Sequence, residues 1–518
     1  MDHSNHNMGN MSMAGNNEHT GHMMMGGMGT FHWKIAGDGL WINTWVPNSK
    51  GSYTGALFGI LFMAILSRGI PVLEIGFMSW KKAQVVKASN DRLNEITYIS
   101  ELSKSRQPSP IRALTPYLHE ENMISLGAGQ PNPTTFPFKT MSVTLESGET
   151  LQIDQQLFKR CLSYDLTSGL PQLNEWLKNL QEMEHKPPVK NYALSIGVGS
   201  QDLLTKAFEM VIDPGTALLV EDPSYTGAIS YLRTQPCELI GVATDAEGVI
   251  PEALDKILNE WPSASSGKGN GKKPKVLYTI PCGGNPTGAT ASLGRKKSVY
   301  AVCQKHDLLI FEDDPYYYLQ FESPRVPSYL SFDHDGRVLR FDSMSKILSS
   351  GLRIGWVTGP PALIERINLH TMVTNLQPSG IPQLMAYELL NSWGYDTFFK
   401  HIETVSGFYR KKSAQFAECL EKRMKGYGEW VVPSGGMFFW IKLLGGITDS
   451  SDLVMNTAIP KKKVLAVPGI AFMPAGNRTP YLRVSFSNVS YEQMDEGLRR
   501  LAEAIQEEAD RNGVEIKF

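Results

Sequence analysis

An α/β body is the fold class predicted over most of the 518 residues, and three observations carry that expectation. From Ser109-Pro110-Ile111-Arg112 onward, short apolar runs of strand length alternate with amphipathic stretches of helical length. Turn-forming residues follow the apolar runs directly, as at Gly127–Pro133, Gly197–Ser200 and Asn285–Gly288. Hydrophobic residues at 42% and charged residues at 20% are ordinary for a packed chain, whose length allows about three domains. The formal net charge of -2 argues against nucleic acid as a partner over a broad basic face. Cys161, Cys237, Cys282, Cys303 and Cys419 are scattered and never spaced as CxxC, which suits a reducing compartment, so a cytoplasmic body is expected. The first residues are polar rather than basic and then apolar, unlike a secretory signal.

The first eighty residues have another texture. Residues 1–33 interleave His3, His6, His19, His22 and His32 with methionines, among them Met8, Met11, Met13, Met23, Met24 and Met25. Thioether and imidazole groups suit soft metals, so these methionines are candidate copper ligands on a segment too polar to bury a core. In 34–80, Trp41 and Trp45 precede an apolar run, and Lys81-Lys82 follow it. The run at 53–67 is shorter than the roughly 20 residues of a spanning helix, yet its flanks resemble an aromatic belt and a positive-inside end. It is therefore a candidate membrane attachment. Together these residues resemble the amino-terminal part of the high-affinity copper transporters. That family needs two further membrane helices, one with a Met-x-x-x-Met pair, and nothing later in the chain supplies them. Residues 81–106 read as a linker entering an amino-terminal helix.

Five sites in the body each follow a predicted strand, where open α/β sheets bind ligands. Tyr192–Ile196 leads into Gly197-Val198-Gly199-Ser200-Gln201, a tight turn with Ser200 near the N-cap of a helix and so a phosphate-sized anion site. Leu218–Val220 leads to Tyr225, an aromatic ring able to stack on a heteroaromatic cofactor or simply to pack. Val276–Ile280 precedes the Asn285-Pro286-Thr287-Gly288 turn. Leu308–Phe311 precedes Glu312-Asp313-Asp314, carboxylates that are costly to bury unless one meets a cation such as a pyridinium N–H. After one more strand, Val338–Phe341, comes Ser343-Met344-Ser345-Lys346, with Arg353 seven residues on. Burial among small neighbours would lower the amine's pKa and make it a nucleophile toward an aldehyde, while Ser343, Ser345 and Arg353 could hold a phosphate. Each site alone reads equally as an ordinary loop or cap. Together they describe a pyridoxal 5′-phosphate site.

Ser-Pro-Ile-Arg, Gly-Ser-Gln, Asn-Pro-Thr-Gly, Glu-Asp-Asp-Pro-Tyr-Tyr, Ser-x-Ser-Lys with Gly-Leu-Arg-Ile-Gly, and Tyr-Leu-Arg-Val-Ser-Phe-Ser occur in this order. From about residue 91 to the carboxyl terminus the chain thus resembles the fold-type I aminotransferases, in the kynurenine/2-aminoadipate and fungal-type aromatic amino acid branch. The resemblance implies a large, mostly parallel sheet domain flanked by helices (151–379) and a smaller α+β domain (107–150 with 380–518). It implies pyridoxal phosphate bound by Lys346, with Asp313 on the pyridine nitrogen, Asn285 and Tyr316 at the ring oxygen, and Tyr225 stacked on the ring. Ser200, Gln201, Ser343, Ser345 and Arg353 would hold the phosphate, and Arg483 would clamp a substrate carboxylate. Tyr164 would reach the phosphate of a neighbouring subunit, which implies a homodimer with shared active sites. Ala128 stands where glycine is expected, beside the substrate. The implied reaction moves an amino group from an aromatic, kynurenine or 2-aminoadipate type amino acid to a 2-oxo acid such as 2-oxoglutarate. Two rivals are a copper-binding or copper-transport fusion and a pyridoxal-phosphate-dependent transcription regulator. The second would need a basic DNA-binding domain, which the Met/His segment is not.

Overall fold

The structure is a computed structural model that describes residues 95–111, 117, 122–124, 126–127, 129–261 and 272–516, together with the two-residue strands Lys34–Ile35 and Asp38–Gly39. The chain divides into two compact units, Met1–Asn90 and Asp91–Phe518. In the first, the two short strands pair antiparallel, Lys34 opposite Gly39. The methionines singled out as copper ligands, the apolar stretch at 53–67 and Ala128 lie outside the described residues. Among the described residues no helix is long and apolar enough to cross a membrane.

The second unit is built on an eight-stranded sheet. In chain order its strands are β1 (Ala193–Gly197), β2 (Thr216–Asp222), β3 (Cys237–Asp245), β4 (Gly248–Val249), β5 (Val276–Thr279), β6 (Leu309–Asp313), β7 (Val338–Ser343) and β8 (Gly355–Gly359). Their order across the sheet is β1-β8-β7-β6-β5-β2-β3-β4. The central strands β7, β6, β5, β2 and β3 run parallel, while β8 is antiparallel to both its neighbours. Several run one or two residues beyond the apolar stretches that predicted them. In particular, Glu312 and Asp313 lie within β6 rather than after it.

Both faces are buried, as parallel strands require, and the period of two sorts the side chains between them. Leu219, Leu277, Ile310 and Val338 pack in one cluster with Leu254, Leu258, Val299 and Cys303 of helices Pro251–Asn259 and Leu293–Lys305. Leu218, Val220, Tyr278, Phe311 and Phe341 pack in the other, with Leu177, Phe208 and Ile367 of helices Pro171–Glu184, Ser200–Val211 and Pro361–Thr374. A four-stranded antiparallel sheet follows, with β9 (Gly428–Trp430), β10 (Phe438–Leu443), β11 (Val467–Pro468) and β12 (Tyr481–Ser485) in the order β9-β10-β12-β11. Its cluster includes Phe439, Ile441 and Leu482 against Leu498, Leu501 and Ile505 of helix Tyr491–Arg511. That helix opens with a capping box between Ser490 and Gln493. The long segment Gly380–Arg423 is broken at Gly394, where φ is 62° and ψ 177°.

The two sheets approach backbone to backbone where the turn after β5 meets the residues before β10. Gly436 has φ 74°, and a Cβ built on it would lie 2.5 Å from the Gly283 carbonyl oxygen and 2.9 Å from its Cα. Neither backbone can yield as a flexible side chain would. Gly436→Ala should therefore cost about 1–3 kcal/mol from overpacking and roughly 1–2 kcal/mol more from the left-handed backbone, read as a lower denaturant midpoint.

Candidate active site

Parallel strands deliver their carboxyl ends to one edge of the sheet, and the predicted residues arrive there together. Ser200, Gln201, Tyr225, Asn285, Asp313, Tyr316, Ser343, Ser345, Lys346, Arg353 and Arg483 all line one cleft of ≈ 340 Å³, with Ile280 and Phe438. Tyr164 does not: it is 47% exposed on the turn after helix Gln155–Cys161. A larger cleft of ≈ 500 Å³ runs between Asp222–Pro223, Thr287–Thr290 and the strand ends near Trp430. Its lysine, Lys442, is paired with Glu429 at 2.9 Å, so size does not identify the reactive site. Chemistry does.

Lys346 ends a short 3-10 turn, Met344–Lys346, that leaves β7. Ser343 Oγ accepts the Ser345 backbone N–H at 3.1 Å, and the Met344 N–H donates to the Ile354 carbonyl at 3.0 Å. The second bond closes the loop back onto β8. Burial lowers the Lys346 pKa below that of a free amine, and the nearby Arg353 and Arg483 cations lower it further.

Arg353 takes a left-handed backbone, φ 54°. Its Nη1 donates to the Ser350 carbonyl at 3.0 Å and to Ser345 Oγ at 3.4 Å, and its Nη2 donates to the Val198 carbonyl at 3.4 Å. The guanidinium therefore faces the Gly199–Ser200 turn. Gly199, φ 82°, is the N-cap and Ser200 the first helical residue, a shift of one from the sequence expectation. Gly355 lies opposite Gly197 in the β8–β1 register, and a Cβ on it would collide with the Ser200 backbone nitrogen. The glycines thus leave room for free N–H groups and a cation to converge, an arrangement that accepts a phosphate dianion.

Deeper in, Asp313 is 3% exposed. Tyr278 donates its hydroxyl to Asp313 Oδ2 at 2.7 Å, while Oδ1 is buried with no partner among the described residues. Burial is the main reason its pKa is pushed up to about 7, with Asp314, Glu221 and Asp342 adding to the effect. An N–H cation brought to Oδ1 would satisfy that oxygen and restore the carboxylate. Tyr316 is also buried, and burial raises its hydroxyl's pKa, with Asp313 adding to the rise. Gln201 Nε2 donates to the Gly227 carbonyl at 3.2 Å, leaving its buried Oε1 without a partner among the described residues.

Arg483, on β12, donates from Nη1 to Asn285 Oδ1 at 2.8 Å, and its buried Nε has no partner among the described residues. Its guanidinium lies 4.4 Å from the Phe438 ring centre and 5.0 Å from that of Phe472. Two aromatic faces hold the fork at the cleft, ready for a carboxylate.

Four contributors escaped sequence reasoning. Tyr278 looked like strand core, because its reach to Asp313 depends on the β5–β6 register. Phe438 and Phe472 carry no local signal, since they meet Arg483 only across the second sheet and its adjoining turn. Arg340, which the sequence reading did not connect to the acidic run, lies 3.2 Å from Glu312 and 2.8 Å from Asp314.

Known proteins resemble this chain in sequence and fold. The family model "Aminotransferase class I and II" matches residues 121–501, and the "Ctr copper transporter family" model matches residues 29–149. The second match begins after the methionines of the first 28 residues and overlaps the first by a short stretch. The mitochondrial kynurenine/alpha-aminoadipate aminotransferase of Bos taurus is 44% identical over 425 residues, covering 80% of this chain and 100% of that protein. Among solved structures, aminotransferase Aro8 of Candida albicans superposes with a TM-score of 0.71 at 27% identity, covering 81% of this chain and 99% of its own. Kynurenine aminotransferase of Pyrococcus horikoshii, in complex with PMP, KYN as substrates and KYA as products, gives 0.62 at 30% identity, covering 80% and 98%. From the strand ends to the full length of its relatives, the chain belongs to the class I and II aminotransferases.

Proposed function

We propose that the cleft binds pyridoxal 5′-phosphate and moves an amino group from an aromatic, kynurenine or 2-aminoadipate type amino acid to a 2-oxo acid such as 2-oxoglutarate. The observation that carries this reading is one lysine with a lowered pKa beside a buried carboxylate that keeps an unpartnered oxygen. Bound there, the cofactor supplies an aldehyde and an electron sink for charge left on a substrate α-carbon. The chain supplies the rest. Lys346 Nζ would hold the cofactor through its aldehyde and, when a substrate amine takes that place, would be the base that carries the proton leaving the substrate α-carbon. Asp313 Oδ1 keeps the ring nitrogen protonated, the Tyr225 ring stacks, and Asn285 and Tyr316 serve the ring oxygen. The Ser200 turn, Gln201, Ser343, Ser345 and Arg353 hold the phosphate, and Arg483 takes the substrate carboxylate. Tyr164, exposed in one chain, is proposed to reach a second subunit's phosphate in a homodimer. Ala128 is proposed to line the substrate side.

Copper binding by the head is a second reading, favoured by the Ctr family match. Cu(I) titration of the full chain, with Met8, Met11, Met13, Met23, Met24 and Met25 changed together to serine, tests it through loss of binding. A cytoplasmic location is the sequence expectation, although the bovine relative is named as mitochondrial.

A panel of amino donors with 2-oxoglutarate tests the main reading. Lys346→Ala should lower kcat by at least about 10²–10⁴-fold, and retained turnover would exclude Lys346 as the proton carrier. Arg483→Lys should raise the donor KM by about ten- to hundredfold, because an ammonium loses the two-pronged grip.

Asp313 also predicts a pH signature. Its pKa is raised on folding, so without the cofactor the stability linked to it is greatest at low pH and is lost as pH rises toward about 7. The ring-nitrogen cation should abolish that loss. The gap in Tm between cofactor-loaded and cofactor-free protein should therefore widen by several degrees from about pH 5 to about pH 8, and Asp313→Asn should flatten it.

A further inference from the structure

The cleft leaves unexplained a fully buried arginine at the base of the two strands that feed it. Arg340, on β7, is 0% exposed. Its Nε and Nη2 form a fork with Asp342 at 3.1 and 2.8 Å, and its Nη1 donates to Asp314 Oδ2 at 2.8 Å and stands 3.2 Å from Glu312. The Tyr317 ring centre lies 4.7 Å from the guanidinium. Gln181, from helix Pro171–Glu184, donates to Asp342 Oδ2 at 3.3 Å. Nearby charge comes from Lys296, and His185 is held neutral by burial and the surrounding cations.

The register places Glu312 opposite Arg340 and Asp313 opposite Phe341. Alternation along a strand therefore turns Glu312 and Arg340 away from the face that carries Asp313. The residues Arg340 grips are Asp313's two chain neighbours, Glu312 on β6 and Asp314 just after it, and Asp342, the residue before Ser343 on β7. Replacing such a buried ion cluster with apolar side chains of similar volume is often neutral or stabilising, so stability alone does not account for it. A planar guanidinium that forks on Asp342 within β7 and reaches Asp314 and Glu312 at the end of β6 through Nη1 does fix where both strands end.

We infer that Arg340 is a positioning residue, which locks the ends of β6 and β7 so that the Asp313 carboxylate and the Lys346 amine meet one cofactor. The inference rests on the reading of the cleft as a pyridoxal phosphate site. It goes beyond that reading by assigning a residue that touches neither substrate nor cofactor.

Arg340→Lys keeps the charge and loses the fork. Asp342→Asn keeps the volume and weakens the fork, and it serves should the lysine variant not fold. Both are measured as full chains for pyridoxal phosphate affinity by titration, the pH midpoint of the bound cofactor's visible absorbance, kcat and KM at saturating cofactor, and Tm. Arg340 acting by position should give about tenfold weaker cofactor binding, a displaced midpoint and a kcat lower by about 10²-fold with donor KM little changed. For Asp342→Asn the midpoint should fall, because a neighbouring negative charge is removed. A variant with lowered Tm but unchanged affinity, midpoint and kcat would reduce Arg340 to a structural part and overturn the inference. If the unmodified chain takes up no pyridoxal phosphate, the reading of the cleft fails and this inference falls with it. Uptake by the unmodified chain with no contrast in the variants overturns the inference alone.

Discussion

The reversed strand β8, set between β7 and β1, is the constraint on which the cleft depends. An antiparallel neighbour can follow β7 by a short return, and residues 344–354 make that return, with Lys346 and Arg353 in it. A parallel neighbour would need a long crossover, which would carry both residues away from the strand ends. On its other side β8 pairs with β1, so Gly355 lies against the Gly197–Ser200 turn. One strand direction therefore brings an amine, a guanidinium and a helix N-terminus to the same corner.

Electrostatics in this corner runs from back to front. Behind the strand ends, Arg340 is shared among three carboxylates, so the cluster holds more negative than positive partners. Asp313 lies between two of those carboxylates in sequence, lines the cleft and has an oxygen with no partner among the described residues. Burial and these neighbours raise its pKa, and a cation in the cleft would offset both. In front, Arg353 and Arg483 lower the Lys346 pKa and offer their donors to anions. The site is thus graded, with the proton-holding carboxylate deepest and the anion-binding guanidiniums nearer the mouth. A ligand carrying a cationic ring nitrogen at one end and a phosphate at the other matches that gradient.

The two parts of the chain follow different physical rules. The body buries alternating apolar strands under helices on both faces. The head is rich in methionine, histidine and glycine, and its similarity to copper transporters extends over residues 29–149. That match overlaps the start of the aminotransferase match at residue 121. The aminotransferase relative from Bos taurus is covered over its whole length by 80% of this chain.

Much of the site was legible because its chemistry sits in short contiguous motifs. Ser-x-Ser-Lys, Asn-Pro-Thr-Gly and the acidic run ending β6 each announce a residue at a strand end, and the α/β class follows from local periodicity that needs no partner to be seen. Strand ends were less legible, because Glu312 and Asp313 are strand residues only by virtue of their pairing with β7. The sequence by itself determined which residue types reach the edge of the sheet and which of them could bond an aldehyde, a phosphate or a carboxylate. Tertiary structure alone decided their partners: Tyr278 on Asp313, Asn285 and two phenylalanine rings on Arg483, and Arg340 beneath two strands. Those contacts join residues between 11 and 198 positions apart and depend on register and on the packing of one sheet against another, which local periodicity does not encode.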